Sequence, residues 1–243
     1  MAIAHVHTDT TKDISSTTSA TAVVLPTGTA STDVVIAVFG IDTAGGNASG
    51  WTVTAPAGWT KIGSNQLDVD AGAPGVVLFA FWALGSVANL SFTNSRTGDS
   101  QGVVVAAFSG VDNTTPIDVL DTTGSSSTGS TSATATAITT VTNNAWELIA
   151  AADWLSGSFT SAGFTVSENG HTNCAAALLY NTTPVSPAGS TGTKTVSDSQ
   201  SATGQVIVLR SFALRPAAAA ANPQGWQTIC PDRTNDRMIP MPY

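Results

Sequence analysis

Short apolar or β-branched runs alternate along the chain with clusters of Gly, Pro, Asn, Asp and Ser. No long stretch repeats its apolar positions every 3.6 residues between caps, so helix is expected to be nearly absent. The runs predict strands at 21–25, 34–41, 76–84, 102–108, 137–141, 147–152, 175–180 and 205–214. Weaker signals lie at 51–55, 59–63, 90–93, 164–168 and 194–197. The expected fold class is all-β.

The pattern repeats. Ser19-Ala-Thr-Ala22 returns as Ser132-Ala-Thr-Ala135, a shift of 113, and at the same shift Asp33-Val-Val-Ile-Ala37 faces Trp146-Glu-Leu-Ile-Ala150. Ala57-Gly-Trp-Thr60 resembles Ala162-Gly-Phe-Thr165 at 105, and the run from Gly102 resembles the run from Gly204 at 102. Order is kept while the shift drifts downward, as loop deletions in a duplicated unit would produce. A unit of about 105 residues with six or seven strands has β-sandwich size. The expected organisation is therefore two similar β-sandwich (jelly-roll-like) halves packed together, at 1–121 and 132–216. Between them, the Gly/Ser/Thr-rich stretch 122–131 reads as a flexible surface linker. Separate sandwiches and one large sandwich with strands paired across the halves both remain open at this stage.

Composition narrows the function classes. With 42% hydrophobic residues the chain can build a core, yet only 10% are charged, against roughly 25% in ordinary soluble domains. Ser, Thr, Gly and Ala take the place of charge, which suits strands and small-residue loops. A net charge of −8 repels phosphate backbones, so nucleic acid is not an expected partner. No apolar run reaches membrane-helix length, so no membrane insertion is expected, and no Sec signal is recognisable at the N-terminus. Cys174 and Cys230 are too few for a disulfide framework. Cys174 reads as a buried free thiol, with a Cys174–Cys230 bridge as the alternative.

Beyond Pro216 the sequence changes character. Three prolines after position 230 argue for an extended arm over 217–243. The arm nevertheless carries Trp226, Ile229, Met238, Ile239, Met241 and Tyr243, together with Arg233 and Arg237. Apolar side chains on an extended segment need a groove, and the arginines suit an acidic partner surface, so these eight residues are the expected partner-docking set. A strap folded back on its own domain is the alternative.

Catalytic chemistry has one imitation. Gly98-Asp-Ser-Gln-Gly102 fits the G-x-S-x-G nucleophile elbow, but that elbow requires a strand before it and a helix after it. Here a strand follows, and the second half carries a similar turn at Asp198-Ser-Gln-Ser-Ala-Thr-Gly204. The available bases would be His5, His7 or His171. His5 and His7 share one face of a strand and could ligate a metal only with further ligands. Asp68, Asp70, Asp112, Asp118 and Asp121 could offer oxygens to calcium but read more simply as turn residues. No catalytic residue, metal site or cofactor is therefore expected, and the chain reads as a non-enzyme. Exposed Trp can serve β-sandwiches as sugar-stacking platforms, and Trp51 and Trp154, at loop edges, are the candidates for glycan contact.

The stretch Val103-Val-Val-Ala-Ala-Phe-Ser-Gly-Val-Asp-Asn-Thr-Thr-Pro-Ile-Asp118 resembles a Ser/Thr-rich β-sandwich family of bacteriophage virion structural proteins, whose pattern joins an apolar strand to Ser-Gly-Val-Asp and then Pro-Ile-Asp. Pro56-Ala-Gly-Trp-Thr60 and Val208-Leu-Arg-Ser-Phe-Ala-Leu-Arg-Pro216 fit as well. The likeness is loose over most of 1–216 and firmer over 103–118; the arm has no counterpart, and the second half lacks a Gly-Val-Asp. The resemblance implies a virion component assembled in the host cytoplasm: a capsid decoration protein or a head or tail fibre, or a glycan-binding receptor protein of the tail. It implies as partners the major capsid or tail protein, further copies of the chain, and a host surface glycan.

Overall fold

The computed structural model describes residues 2–6, 10–14, 21–43, 51–64, 66–68, 75–88, 91–94, 100–167, 174–200 and 205–218. Among these the regular structure is all strand. The first ten strands are β1 (Ala4–His5), β2 (Thr10–Ile14), β3 (Thr21–Ala22), β4 (Val34–Thr43), β5 (Val53–Thr54), β6 (Thr60–Lys61), β7 (Gln66–Asp68), β8 (Gly75–Leu84), β9 (Ser91–Asn94) and β10 (Gln101–Ser109). The other nine are β11 (Ile117–Leu120), β12 (Ser125–Thr128), β13 (Ser132–Ala135), β14 (Trp146–Asp153), β15 (Phe159–Ser161), β16 (Thr165–Ser167), β17 (Ala175–Tyr180), β18 (Lys194–Asp198) and β19 (Val206–Leu214).

The strands form two antiparallel sandwiches with one plan. In the first, a large sheet has the order β1-β10-β4-β8-β6, with β2 also on β10 and β7 also on β8; a small sheet, β3-β9-β5, covers one face. In the second, the large sheet is β11-β19-β14-β17-β16, with β12 also on β19, and the small sheet is β13-β18-β15. The expected β-sandwich architecture and its internal repeat are thus present.

Three cores explain the long apolar runs. Val35, Ala37, Phe39 and Ile41 of β4 face the first small sheet, where Phe92 packs against Phe39, Phe81 and Trp59 at ring-centroid distances of 4.7, 5.1 and 5.1 Å. Ile149, Ala151, Ile207 and Leu209 face the second small sheet around Phe159 and Val196. Between the sandwiches lies the largest core, where Val34, Ile36, Val38, Leu78, Val104 and Phe108 meet Leu148, Ala150, Leu178, Val208 and Phe212. Each large sheet is consequently buried on both faces, and its central strands are apolar at odd and even positions alike. The order through the molecule is small sheet, large sheet, large sheet, small sheet. Of the two arrangements left open by the sequence, the halves are two sandwiches joined by their large sheets.

Four expectations change. The stretch 122–131 is not a flexible linker, because Ser125–Thr128 is β12, paired with β19 from Ser125↔Leu209 to Thr128↔Val206. Its Ser and Thr side chains alternate between half-buried and exposed, as an edge strand permits. The boundary at residue 121 moves as well: β11 and β12 flank β19 as β1 and β2 flank β10, so the second unit begins ahead of Ile117. The repeat register is also off by one residue. Val34, Ile36 and Val38 face the central core, as do Trp146, Leu148 and Ala150, which is an even shift of 146 − 34 = 112 rather than 113. The strand expected at 137–141 reduces to one isolated bridge, Thr139↔Ser190.

At Gly40 the large sheets come into close contact. A Cβ built there would lie 2.8 Å from the Ala175 carbonyl oxygen and 2.9 Å from Ala152 Cβ. Gly40→Ala should therefore destabilise the protein by about 1–3 kcal/mol through overpacking. Gly189→Ala, with its nearest neighbour at 3.9 Å, should change stability by less than about 0.5 kcal/mol. Urea denaturation of the two variants checks the contrast.

Candidate functional site

The motif that carries the family resemblance forms the joint between the sandwiches. Strand β10 ends at Ser109, the chain turns through Gly110-Val111-Asp112, and β11 opens the second large sheet. Gly110 has φ +71°, and a Cβ there would lie 2.1 Å from the Ala2 carbonyl oxygen, so both conformation and space call for glycine. Val111 bridges to Pro216, and the Asp112 N–H donates to the Arg215 carbonyl at 2.9 Å. The Asp112 carboxylate accepts the N–H groups of Thr114 and Thr115 at 2.8 and 3.1 Å, closing an Asx turn. Those two donors hold its pKa below the usual carboxylate value.

Pro-Ile-Asp follows at once. The register of β11 shifts between Ile117 and Val119, which places Asp118 at a bulge. Asp118 Oδ2 accepts the N–H groups of Val141 and Thr142 at 2.8 and 3.2 Å, and Oδ1 pairs with Arg215 Nε at 3.3 Å. Arg215 Nη1 also donates to Thr115 Oγ1 at 3.1 Å. One carboxylate thus ties the start of the second sandwich to its own later loop and to the residue that follows its last strand. Beside it, Arg210 Nη1 and Asp121 Oδ1 form a fully buried pair at 3.0 Å, with Asp121 Oδ2 accepting the Ser211 N–H at 2.8 Å. Burial outweighs the guanidinium and these donors, so the Asp121 pKa is raised. Arg210 Nη2 reaches Ser64 Oγ of the first sandwich at 3.4 Å, so the pair also spans the central interface.

A second polar cluster lies at the far end of the second sandwich. Asp153 ends β14, Asp198 ends β18 and Gln205 precedes β19; all three are buried. Gln205 Nε2 donates to Asp153 Oδ2 at 2.7 Å, the Leu155 N–H donates to Asp153 Oδ1 at 3.3 Å, and the Gln200 N–H donates to Asp198 Oδ1 at 3.0 Å. Burial, and then the hydrogen-bonded Asp198 carboxyl, push the Asp153 pKa up to about 8. No spacing in the sequence signals this cluster, because its members come from two sheets that meet only in the folded sandwich.

The residues singled out in the sequence fare differently. Trp51 is buried in the first outer core at 3% exposure and presents no stacking face, so it is withdrawn as a glycan contact. Trp154 is half-buried against the central core. All eight arm residues (Trp226, Ile229, Arg233, Arg237, Met238, Ile239, Met241 and Tyr243) lie outside the described residues, as do His7, His171, Asp70 and Cys230. Cys174 is a buried free thiol whose pKa burial drives up. Ser100 precedes a strand rather than a helix, and its carbonyl accepts the Asp42 N–H, so the elbow geometry is missing. His5 pairs with Phe108, at the opposite end of β10 from Ser100. It stacks on Tyr180 at 4.8 Å, with Nδ1 3.2 Å from the Tyr180 hydroxyl, joining an aromatic cluster that bridges the sandwiches. Among the described residues no three His, Cys, Asp or Glu side chains gather as a metal site. Asp118 and Asp121 are instead committed to arginines.

A scan against protein-family models, a search of curated proteins and a search of solved structures each found no match to this chain.

The joint makes a graded prediction. Asp118→Ala strands two backbone donors and an arginine and should lower stability by about 3 kcal/mol. Asp112→Ala opens only an exposed turn and should lower it by about 1 kcal/mol. The difference between their urea unfolding midpoints checks whether the second aspartate of the motif, rather than the first, holds the joint.

Proposed function

We propose that this chain is a structural component of a bacteriophage particle, carried on the particle surface as a capsid decoration protein or a fibre component. The observation that carries the reading is the stretch 103–118, with its likeness to phage virion proteins. Its Gly110, Asp112 and Asp118 have defined structural work at the joint, so the motif is a folding signature that relatives built on the same plan would share. A double sandwich with buried large-sheet faces suits a rigid particle component, and an acidic surface suits the outside of a capsid better than its DNA-facing interior. The arm over 217–243 is the docking segment in this reading, offering apolar side chains and arginines to a capsid or tail protein.

Quantitative mass spectrometry and immunogold labelling of phage particles from lysed host cells test the reading. Many stoichiometric copies on the head are expected. Removing 219–243, which spares the bond from the Ala217 N–H to the Gly110 carbonyl, should abolish incorporation while leaving the thermal unfolding of the sandwiches unchanged. Absence of the chain from particles overturns the proposal. A few copies at the tail tip, with binding on a glycan array, would point to host adhesion instead.

A further inference from the structure

Two carboxyl groups in contact inside a protein cannot both be ionised without a positive partner. Asp153 and Asp198 are such a pair: Asp153 is fully buried, Asp198 is 6% exposed, and neither is paired with a Lys or Arg among the described residues. Among the described residues, the buried Cys174 thiol ahead of β17 and, beyond it, Asp42 on β4 also lie near Asp153; neither supplies positive charge. The hydrogen bonds around the pair also leave a remainder. Asp198 Oδ2 and Gln205 Oε1 are buried with no hydrogen-bond partner, although Gln205 is only 1% exposed and its Nε2 is held on Asp153. A shared proton would join the carboxyls and still leave the Gln205 oxygen without a partner.

The space around the oxygens is kept open by the backbone. A Cβ on Gly157 would lie 2.0 Å from Asp198 Oδ1 and 2.3 Å from Oδ2, so a side chain there would displace the carboxylate. We propose that Asp153, Asp198 and Gln205 form a binding site for a divalent hard cation, Ca2+ by its chemistry, between the large and small sheets of the second sandwich. With the Gln205 amide turned so that Oε1 takes the place of Nε2 beside Asp153, the three protein ligands are oxygens from two carboxylates and one amide, which suits Ca2+ rather than a soft transition metal. Water and nearby carbonyls would complete its shell. Bound there, the ion neutralises the pair and clasps the ends of β14 and β18 to the chain entering β19.

The test uses the full chain, stripped with EDTA and titrated with Ca2+ at pH 7 by calorimetry and thermal unfolding. One Ca2+ per chain is expected, with Tm rising by roughly 5–10 °C at a concentration about a hundredfold above Kd. Asp198→Asn and Gln205→Ala should each remove most of that rise. In EDTA the Asp198→Asn protein should melt close to the parent, since the amide fills the same space and keeps an oxygen acceptor for the Gln200 N–H, which separates loss of binding from loss of folding. Terbium, used as a luminescent stand-in for Ca2+ and excited through tryptophan, should light up with the parent and not with Asp198→Asn. A Ca2+ response that survives both substitutions overturns the proposal. So does a pair that only shares a proton. Because the folded-state pKa of Asp153 is raised, that pair stabilises most at low pH. Tm would then fall as pH rises from about 4 to about 8 and level off above that, whether or not Ca2+ is present.

Discussion

Everything else in the molecule depends on the large sheets burying their faces against each other. A single antiparallel sandwich ordinarily leaves one face of each sheet to water, and its strands alternate apolar and polar. Here that second face is taken by the other sandwich. Val34, Ile36 and Val38 on one side and Leu148, Ala150 and Phe212 on the other are fully removed from solvent. Small residues set the spacing: Gly40 and Ala152 let the sheets close until Gly40 lies against the Ala175 carbonyl, where a larger residue would hold them apart. The two small sheets then need only cap the outer faces, and they do so with strands of two to five residues.

Several buried polar groups tie parts of this apolar stack together. Arg210 crosses from the second sandwich to Ser64 of the first, and its buried partner Asp121 also receives the Ser211 N–H. Asp118 collects two backbone donors and Arg215. Buried ion pairs of this kind gain little net stability over apolar packing, but they are costly to break on one side only. Their effect is to restrict the relative placement of two faces that hydrophobic contact alone would allow to slide.

The large-sheet strands were legible in the sequence because burial on both faces makes them continuous apolar runs. The same property hid their register: with Val34, Val35, Ile36 and Ala37 all apolar, sequence similarity cannot tell a shift of 113 from one of 112, although one residue reverses which core each side chain enters. The edge strand Ser125–Thr128 was misread because Gly, Ser and Thr are linker residues by composition, while Thr and Ser on a half-exposed edge pair perfectly well through their backbones. Trp51, beside loop glycines, looked like a rim residue, but tertiary packing draws it into the outer core. Asp153, Asp198 and Gln205 were invisible for a different reason: no local pattern links residues of two sheets that only the packing of one on the other makes neighbours.

The central interface also sets a direction on the history of the fold. A repeated sandwich points to a single ancestral unit, and such a unit standing alone would need polar residues on what is now the sealed face. Once Val104, Ala106 and Phe108 occupied one side and Val206, Val208 and Phe212 the other, neither unit could return to a solitary existence without exposing a broad apolar surface to water. The duplication thus acts as a ratchet: the two units can drift in their outer sheets and loops, but can no longer be inherited apart.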